Sequence, residues 1–513
     1  MAPELKKPVR KLKVDLSAAD EPKELTMRDI SRMVFELPEV PEPVSYRKRQ
    51  AGEPDVSNLK AQQLAAFCDM TAFLETPDSS MFLLKGYAGT GKTFTISRVM
   101  EWALRFKRTW NIAVTAPTNK AVKVLLEASD FQHSGLKYST IHSLLGLKEQ
   151  IDAYGKQNFV PDKKYAPAIE KYQVLIVDEV SMLNDELFMM LLEYANRGLK
   201  IIFMGDPAQI PPVGKPDCIP FCEKGQKKYG IQIAELTEIV RQAADNPIIA
   251  TTMRIRNALA RPTTFPTLSH SLNKDGTGVI MLQKGNSEHS EFVEEYLDRY
   301  FNSDNFKANS DFMKVICWTN KVVNKMNSWI RAKVYGPEEA RARIVIGEKL
   351  IVNKPILDEE VIVWTTNDEF EVVDYKEKYE DVNSGQFSIK YYAAEVRGRS
   401  SEGLSKASII KIVHEDSLST YKDIVDALYE NAKEQRQGSW KASLAWKDYY
   451  DFQTNFADVN YNYAITAHKA QGSTYQNVLV LCQDIDSNRD VIERNRIKYT
   501  ACSRPSHRLV LVV

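Results

Sequence analysis

Residues 86–93 read Gly-Tyr-Ala-Gly-Thr-Gly-Lys-Thr and fit the pattern G-x-x-x-x-G-K-[ST]. That spacing suits the binding of phosphate. Gly86, Gly89 and Gly91, with Thr90 among them, let the backbone curl so that its N–H groups point inward. Lys92 is placed to reach the β- and γ-phosphates of a nucleoside triphosphate, and the Thr93 hydroxyl to ligate Mg²⁺. Further on, Val174-Leu175-Ile176-Val177 runs into Asp178-Glu179. Two carboxylates at the tip of an apolar strand suit a metal ligand, Asp178, and a general base, Glu179, that orients and deprotonates an attacking water. Gln209, in Gly205-Asp206-Pro207-Ala208-Gln209, can sense a terminal phosphate by hydrogen bonding. Arg241 and Arg504 could stabilise transition-state charge from across a cleft or be ordinary surface arginines. Their place in the motif series favours the first.

Particular elements must hold these groups. Met81-Phe82-Leu83-Leu84 precedes the glycine-rich loop as a buried strand, and Ile96, Val99, Met100, Ala103 and Leu104 follow it at helical spacing. Over residues 58–243, apolar strands at 82–85, 111–116, 174–178 and 201–205 alternate with helical patterns. That alternation predicts an α/β domain with a parallel sheet and helices on both faces. A second α/β domain is expected from 244–334 and 456–513, with strands at 314–318, 477–482 and 508–513. Between its two parts, 335–455 is rich in β-type runs (349–352, 361–364, 369–373, 386–396, 408–414) and then turns helical and aromatic over 418–455. An inserted β-domain is the natural expectation. Residues 1–57 hold seven of the 22 prolines and mix both signs of charge. They are expected to be mostly disordered, with a short helix near 27–37, as either a partner-docking tail or an inert leader.

Bulk composition narrows the class. A chain of 513 residues exceeds one core. Lys plus Arg equals Asp plus Glu at 68 each, which neither predicts nor excludes a nucleic-acid partner. No apolar run approaches the roughly 18 residues of a membrane span. The first residues lack the apolar stretch of a signal peptide, so a cytoplasmic location is expected. Six scattered cysteines include Cys218 and Cys222, but no second pair at metal-binding spacing, and read as free thiols.

Taken in order, GYAGTGKT, APTNKA, STIHSLLG, VDEVSM, GDPAQIPPV, VRQ, TAHKAQGST and YTACSRP resemble the superfamily-one DNA helicases, in particular their RecD-like, 5′-to-3′ branch. The resemblance spans about residues 59–513. It implies two RecA-like P-loop domains with parallel sheets, a small β-hairpin pin at about 147–170 and an SH3-like β insertion within 335–455. It also implies an ATP- and Mg²⁺-dependent enzyme, monomeric, acting on single-stranded and forked DNA. Replication or single-strand-binding proteins are the candidate partners for the N-terminal segment. By the same resemblance Gln63 reads adenine, while Lys92, Thr93, Asp178, Glu179, Gln209, Arg241 and Arg504 serve the ATP site. Gln471 and Gly472 link that site to DNA. Pro117, Thr118, Asn119, Thr140, His142, Thr466 and His468 match DNA-contact loops. In the hairpin, over 150–160, Tyr154 or Phe159 would stack on the last base pair. Three alternatives stay open: a single-strand-stimulated translocase that strips proteins without unwinding, an ATP-switched loading factor, and the opposite polarity.

Overall fold

The computed structural model describes residues 25–40, 49–151, 157–161, 166–212, 214–240, 246–259, 270–358, 361–382, 387–399, 405–436 and 438–513. The strand before the glycine-rich loop, Met81–Gly86, is apolar on both faces. Phe82 and Leu84 pack into one helical layer, Met81 and Leu83 into the other. Its neighbours behave alike, which is why these strands read as unbroken apolar runs rather than alternating ones. Six parallel strands result, in the spatial order Gln232–Leu236, Met81–Gly86, Lys200–Gly205, Val174–Val177, Ile112–Ala116, Leu136–Thr140. The strand leading to Gln209 therefore lies between the glycine-loop strand and the Asp178 strand. Ligand groups at the carboxyl ends of such strands converge on one edge.

A second six-stranded sheet repeats the design. Gly278–Leu282, Pro505–Val512, Tyr475–Leu481, Met313–Cys317 and Ala464–Thr466 run parallel, and the short Ser271–Leu272 joins antiparallel. Val478, Val480, Leu509 and Leu511 fill one face, Leu479, Val510 and Val315 the other. These are two doubly covered α/β lobes, as expected of a RecA-like pair.

Between Lys349 and Tyr461 the chain builds a five-stranded antiparallel sheet around Trp364, Phe370, Val396 and Ile412. One of its strands, Glu369–Val382, runs well past the stretch 369–373 that announced it, while Phe387–Arg399 lies close to the expected 386–396. Two helices follow, Leu418–Glu434 and Trp440–Asn455. The second lies against Leu147–Ile151, which pairs antiparallel with Gln157–Pro161 as the expected hairpin.

Within residues 1–57 the short helix expected near 27–37 is present, and it packs on the second lobe. Met27–Phe35 is a helix, opened by a capping box between Thr26 and Asp29. Ile30 and Val34, four residues apart, are fully buried on the second lobe. Phe35 stacks on Phe292 at 5.3 Å, and the Tyr300 hydroxyl donates to Val34 O at 2.9 Å. Burial of two such side chains is worth roughly 1.5–3 kcal/mol each, enough to hold a nine-residue helix that would not persist alone. Arg49–Gln50 pairs with Phe131–Gln132, and Gly52 N donates to Glu101 Oε1 at 3.0 Å, tying this stretch to the first lobe. Among the described residues no helix is long and apolar enough to cross a membrane.

Candidate nucleotide site and strand path

The glycine-rich loop is shaped by close approach. Gly89 and Gly91 both have φ of 80°, and a Cβ on Gly91 would stand 2.3 Å from Gln63 Nε2. That amide donates to Thr90 O at 2.9 Å, and Gln63 Oε1 accepts from Lys60 N at 2.9 Å. Gln63, the expected adenine reader, is buried as a brace of the loop, with both ends of its amide engaged by backbone. Gln62 is engaged likewise, accepting from Thr237 N and Glu238 N at 2.9 Å each. The Lys92 ammonium turns over the loop, donating to Gly86 O at 2.8 Å and Tyr87 O at 3.1 Å. Lys92–Phe106 is the helix that opens there, with Thr93 half-buried on its first turn. Backbone N–H groups, a helix N-terminus and an inward ammonium together suit a polyphosphate.

At the tip of Val174–Val177 stand the two carboxylates. Glu179 N donates to Asp178 Oδ1 at 2.9 Å. Glu179 adopts φ 49° and ψ 42°, a left-handed conformation costing on the order of 1 kcal/mol or more for a non-glycine residue. Its Oε2 is buried with no hydrogen-bond partner, and its Cγ lies 3.5 Å from where a Cβ on Gly472 of the second lobe would stand. Burial, then the Asp178 charge, pushes the Glu179 carboxyl up to about 7, while Arg504 and Lys92 pull the other way. Burial raises Asp178 as well. A carboxylate poised near neutral pH beside a phosphate cradle can take a proton from water.

Groups of the second lobe close on these. Gln471 Nε2 lies 2.9 Å from Ser181 Oγ, 3.2 Å from Gln209 Oε1 and 3.2 Å from Ile210 O. Gly472, at φ 73°, brings its backbone against the first lobe; a Cβ there would meet Ala121 Cβ at 2.9 Å. Arg504 is buried, held by Thr500 O (2.9 Å from Nε) and Ser503 Oγ (2.8 Å). Arg241 lies outside the described residues. One cross-lobe group escaped sequence reading. Arg256, from helix Pro247–Asn257, sits 3.8 Å above the Tyr87 ring and ion-pairs with the fully buried Asp206. Asp206 also accepts from Tyr499 OH at 2.5 Å and from Ala208 N at 3.0 Å, setting the turn that carries Gln209. An arginine two residues from Arg254 in a helix had no motif to mark it.

The expected strand-contact loops emerge side by side in each lobe. Ala116 pairs with Thr140 and Cys317 with Thr466. Thr118, Thr140 and Thr466 cap the helices that follow, accepting from Ala121 N (3.2 Å), Ser143 N (3.3 Å) and Lys469 N (3.3 Å). Pro117 is half-buried beside them. Burial lowers the pKa of both His142 and His468, so both rings are neutral at pH 7. Phe159, on the hairpin and 42% exposed, meets His142 edge-on with centroids 4.8 Å apart. Tyr154 lies outside the described residues. Asn119 differs from expectation: its amide is given to Thr365 Oγ1 and, at 3.4 Å, to Asp368 Oδ1 of the inserted domain.

Residues 70–215 match the AAA domain family and 461–512 the UvrD-like helicase C-terminal domain family. Uncharacterized protein R530 of Acanthamoeba polyphaga mimivirus is 27% identical, over 88% of this chain and 99% of that protein. ATP-dependent DNA helicase dda of Enterobacteria phage T4 is 26% identical, over 77% of this chain and 86% of that one; the motif series resembles it too. ATP-dependent RecD2 DNA helicase of Deinococcus radiodurans is 37% identical over 33% of this chain and 21% of its own length. Among solved structures, Pif1 helicase from Candida albicans overlays with a TM-score of 0.47 at 17% identity, over 88% of this chain and 94% of that one.

Proposed function

We infer the activity from two premises: the chain belongs to the superfamily-one helicases, in the branch of the RecD and Dda proteins, and its two lobes meet on a phosphate-binding loop. It is an ATP-dependent DNA helicase, and we assign it 5′-to-3′ movement on single-stranded DNA. The observation that carries the reading is the Glu179 carboxylate, strained and unsatisfied at the mouth of the loop, with Gln471 and Arg504 brought to it from the other lobe. Glu179 accepts the proton of the water that attacks the γ-phosphorus. Lys92 and Arg504 offset the charge that develops on the phosphoryl oxygens, and Arg241 is assigned to that task with them. Thr93 and Asp178 are the residues present to hold Mg²⁺, which when bound neutralises phosphate charge. Gln209 and Gln471, in contact across the cleft, would carry the state of the terminal phosphate to Gly472 and to the loops bearing Thr466 and His468.

Strand contacts through threonine hydroxyls, backbone and neutral histidines address the sugar-phosphate chain rather than base edges, so the grip is sequence-tolerant and salt-sensitive. Opening one base-pair step costs about 1.4 kcal/mol on average. The hairpin, with Phe159 and Tyr154, supplies the wedge. We divide the chain at 58–243 for the first lobe with the hairpin inside it, 244–334 plus 456–513 for the second, and 335–455 for the insert. The helix Met27–Phe35 is an addition to the second lobe. The reading includes monomeric action in the cytoplasm and docking of replication or single-strand-binding proteins through residues 1–24, since 27–35 is already committed to packing.

The test compares ATP turnover with and without single-stranded oligonucleotide, then unwinding of 5′- and 3′-tailed duplexes. The expected result is strong stimulation and opening of the 5′-tailed substrate alone. Turnover indifferent to DNA refutes the motor; stimulation without strand separation leaves a translocase; preference for a 3′ tail reverses the polarity.

A further inference from the structure

We infer that Lys120 and Glu369 form a joint fastening the inserted domain to the strand-contact loop of the first lobe, and that Glu369 is a positioning residue for unwinding. The inference rests on the helicase reading above. Lys120 opens the helix Asn119–Ala128, directly after the loop of Pro117 and Thr118. Its ammonium donates to Asp311 Oδ1 and Glu369 Oε1, each at 2.6 Å, and lies 4.7 Å from the Tyr475 ring centroid. Three bodies thus share one cation. Lys120 comes from the first lobe, Asp311 and Tyr475 from the second, and Glu369 begins the longest strand of the insert. The other Glu369 oxygen accepts from Ser310 Oγ at 2.6 Å. Asn119 reinforces the seam through Thr365 and Asp368.

The joint is sheltered. Side-chain exposure is 13% for Lys120 and 19% for Glu369, so water replaces neither partner freely. Lys314, buried just behind and hydrogen-bonded to Asn462 O at 2.6 Å, brings a second positive charge, and its ammonium senses Glu369, Lys120, Asp311 and Lys349. Lys120, Lys314 and Lys349 face Glu369, Asp311 and Glu371 in this cluster. Removing the Glu369 charge leaves the lysines in excess, and the insert loses its hold.

Position makes that hold mechanical. Ala121, the next residue, is the surface on which Gly472 closes, and Gln471 beside it touches Gln209 and Ser181 at the nucleotide site. From the insert, helix Trp440–Asn455 lies against the hairpin strand Leu147–Ile151. Cleft and strand loop therefore meet at one turn of helix, and the insert fastened there reaches the wedge through its helix Trp440–Asn455. With the joint intact, cleft movement and hairpin stay in register; with it loosened, ATP is spent without strand separation.

The experiment measures base pairs opened per ATP hydrolysed for wild type, Glu369→Gln, Lys120→Met and the double variant, with a melting curve for each. For Glu369→Gln, DNA-stimulated turnover should stay within about twofold of wild type. Pairs opened per ATP should fall about fivefold or more. The double variant should be no worse than the worse single, as for two ends of one contact. If Glu369→Gln melts early, Glu369→Asp, which keeps the charge and shortens the reach, carries the same expectation. Wild-type coupling in the Glu369 variants, a proportional fall of turnover and unwinding, or losses that multiply in the double variant would each overturn the joint. A wild-type enzyme that DNA does not stimulate refutes instead the helicase reading on which the joint depends.

Discussion

Glu179 concentrates the chemistry of the first lobe in one side chain, and its setting makes the activity pH-dependent. The ionised form is the base, so DNA-stimulated kcat should climb with pH through about 7 and level off above it, read from a pH–rate profile. Stability runs the other way. Because the folded carboxyl sits above its ordinary 4.5, its contribution is whole below that value and is lost as pH rises through about 7. Glu179→Gln avoids that loss. It should cut kcat by about 10²–10⁴ while melting no lower than wild type at pH 8. Arg256 presents the opposite balance. Arg256→Ala strands the buried Asp206 with only the Tyr499 hydroxyl and the Ala208 amide for partners, and should cost roughly 3–5 kcal/mol in denaturant unfolding. Glu179 was legible because a carboxylate ending an apolar run after a phosphate loop has few other uses. Arg256 was not, since its partners Asp206 and Tyr87 lie far away along the chain and only folding brings them together. Gln63 shows a third case, in which the residue was found but its partners were not. Which backbone groups an amide will brace cannot be read from its neighbours in sequence.

Among the elements, the hairpin Leu147–Ile151 with Gln157–Pro161 carries the sharpest expectation. Phe159→Ala should reduce unwinding several-fold, at roughly 1–3 kcal/mol per lost stacking contact, while translocation on single strands, followed by displacement of an end-bound label, stays near wild type. Equal loss of both would remove the wedge. The strands of the two lobes stood out in sequence because burial on both faces makes them uniformly apolar, as in Val174–Val177 and Ile201–Met204. The insert was harder to bound. Lys376, Glu377, Lys378 and Glu380 lie on the long extension of Glu369–Val382, where charge in place of an apolar period hid most of the strand. The helix Met27–Phe35 was legible as a short helix near 27–37, but its docking was not: a buried stripe of essentially Ile30 and Val34 does not say which surface will cover it.

For the whole molecule, hydrolysis and grip must be joined across a cleft, and Gln471 links the two directly, touching Ser181, Gln209 and Ile210 at once. Gln471→Ala should therefore lower the ratio of DNA-stimulated to basal turnover by about fivefold or more without a matching change in nucleotide affinity, measured by steady-state kinetics against titration. Arg496 and Asp217, paired at 2.8 Å, add to the ties that Arg256 and Tyr499 make to Asp206 and Lys120 to Asp311 between the lobes. The insert has its own architectural consequence. Ile351 pairs with Asn460 and Val352 with Val459, and Asn353 N donates to Asp458 O at 2.9 Å, so the chain departs and returns through one hydrogen-bonded gate. A whole accessory cassette can be exchanged at that gate without rethreading the engine around it. Chimaeras that swap residues 354–457 for a relative's counterpart should keep nucleotide turnover and inherit the donor's unwinding efficiency, which would make this seam the place where evolution refits an old motor for new work.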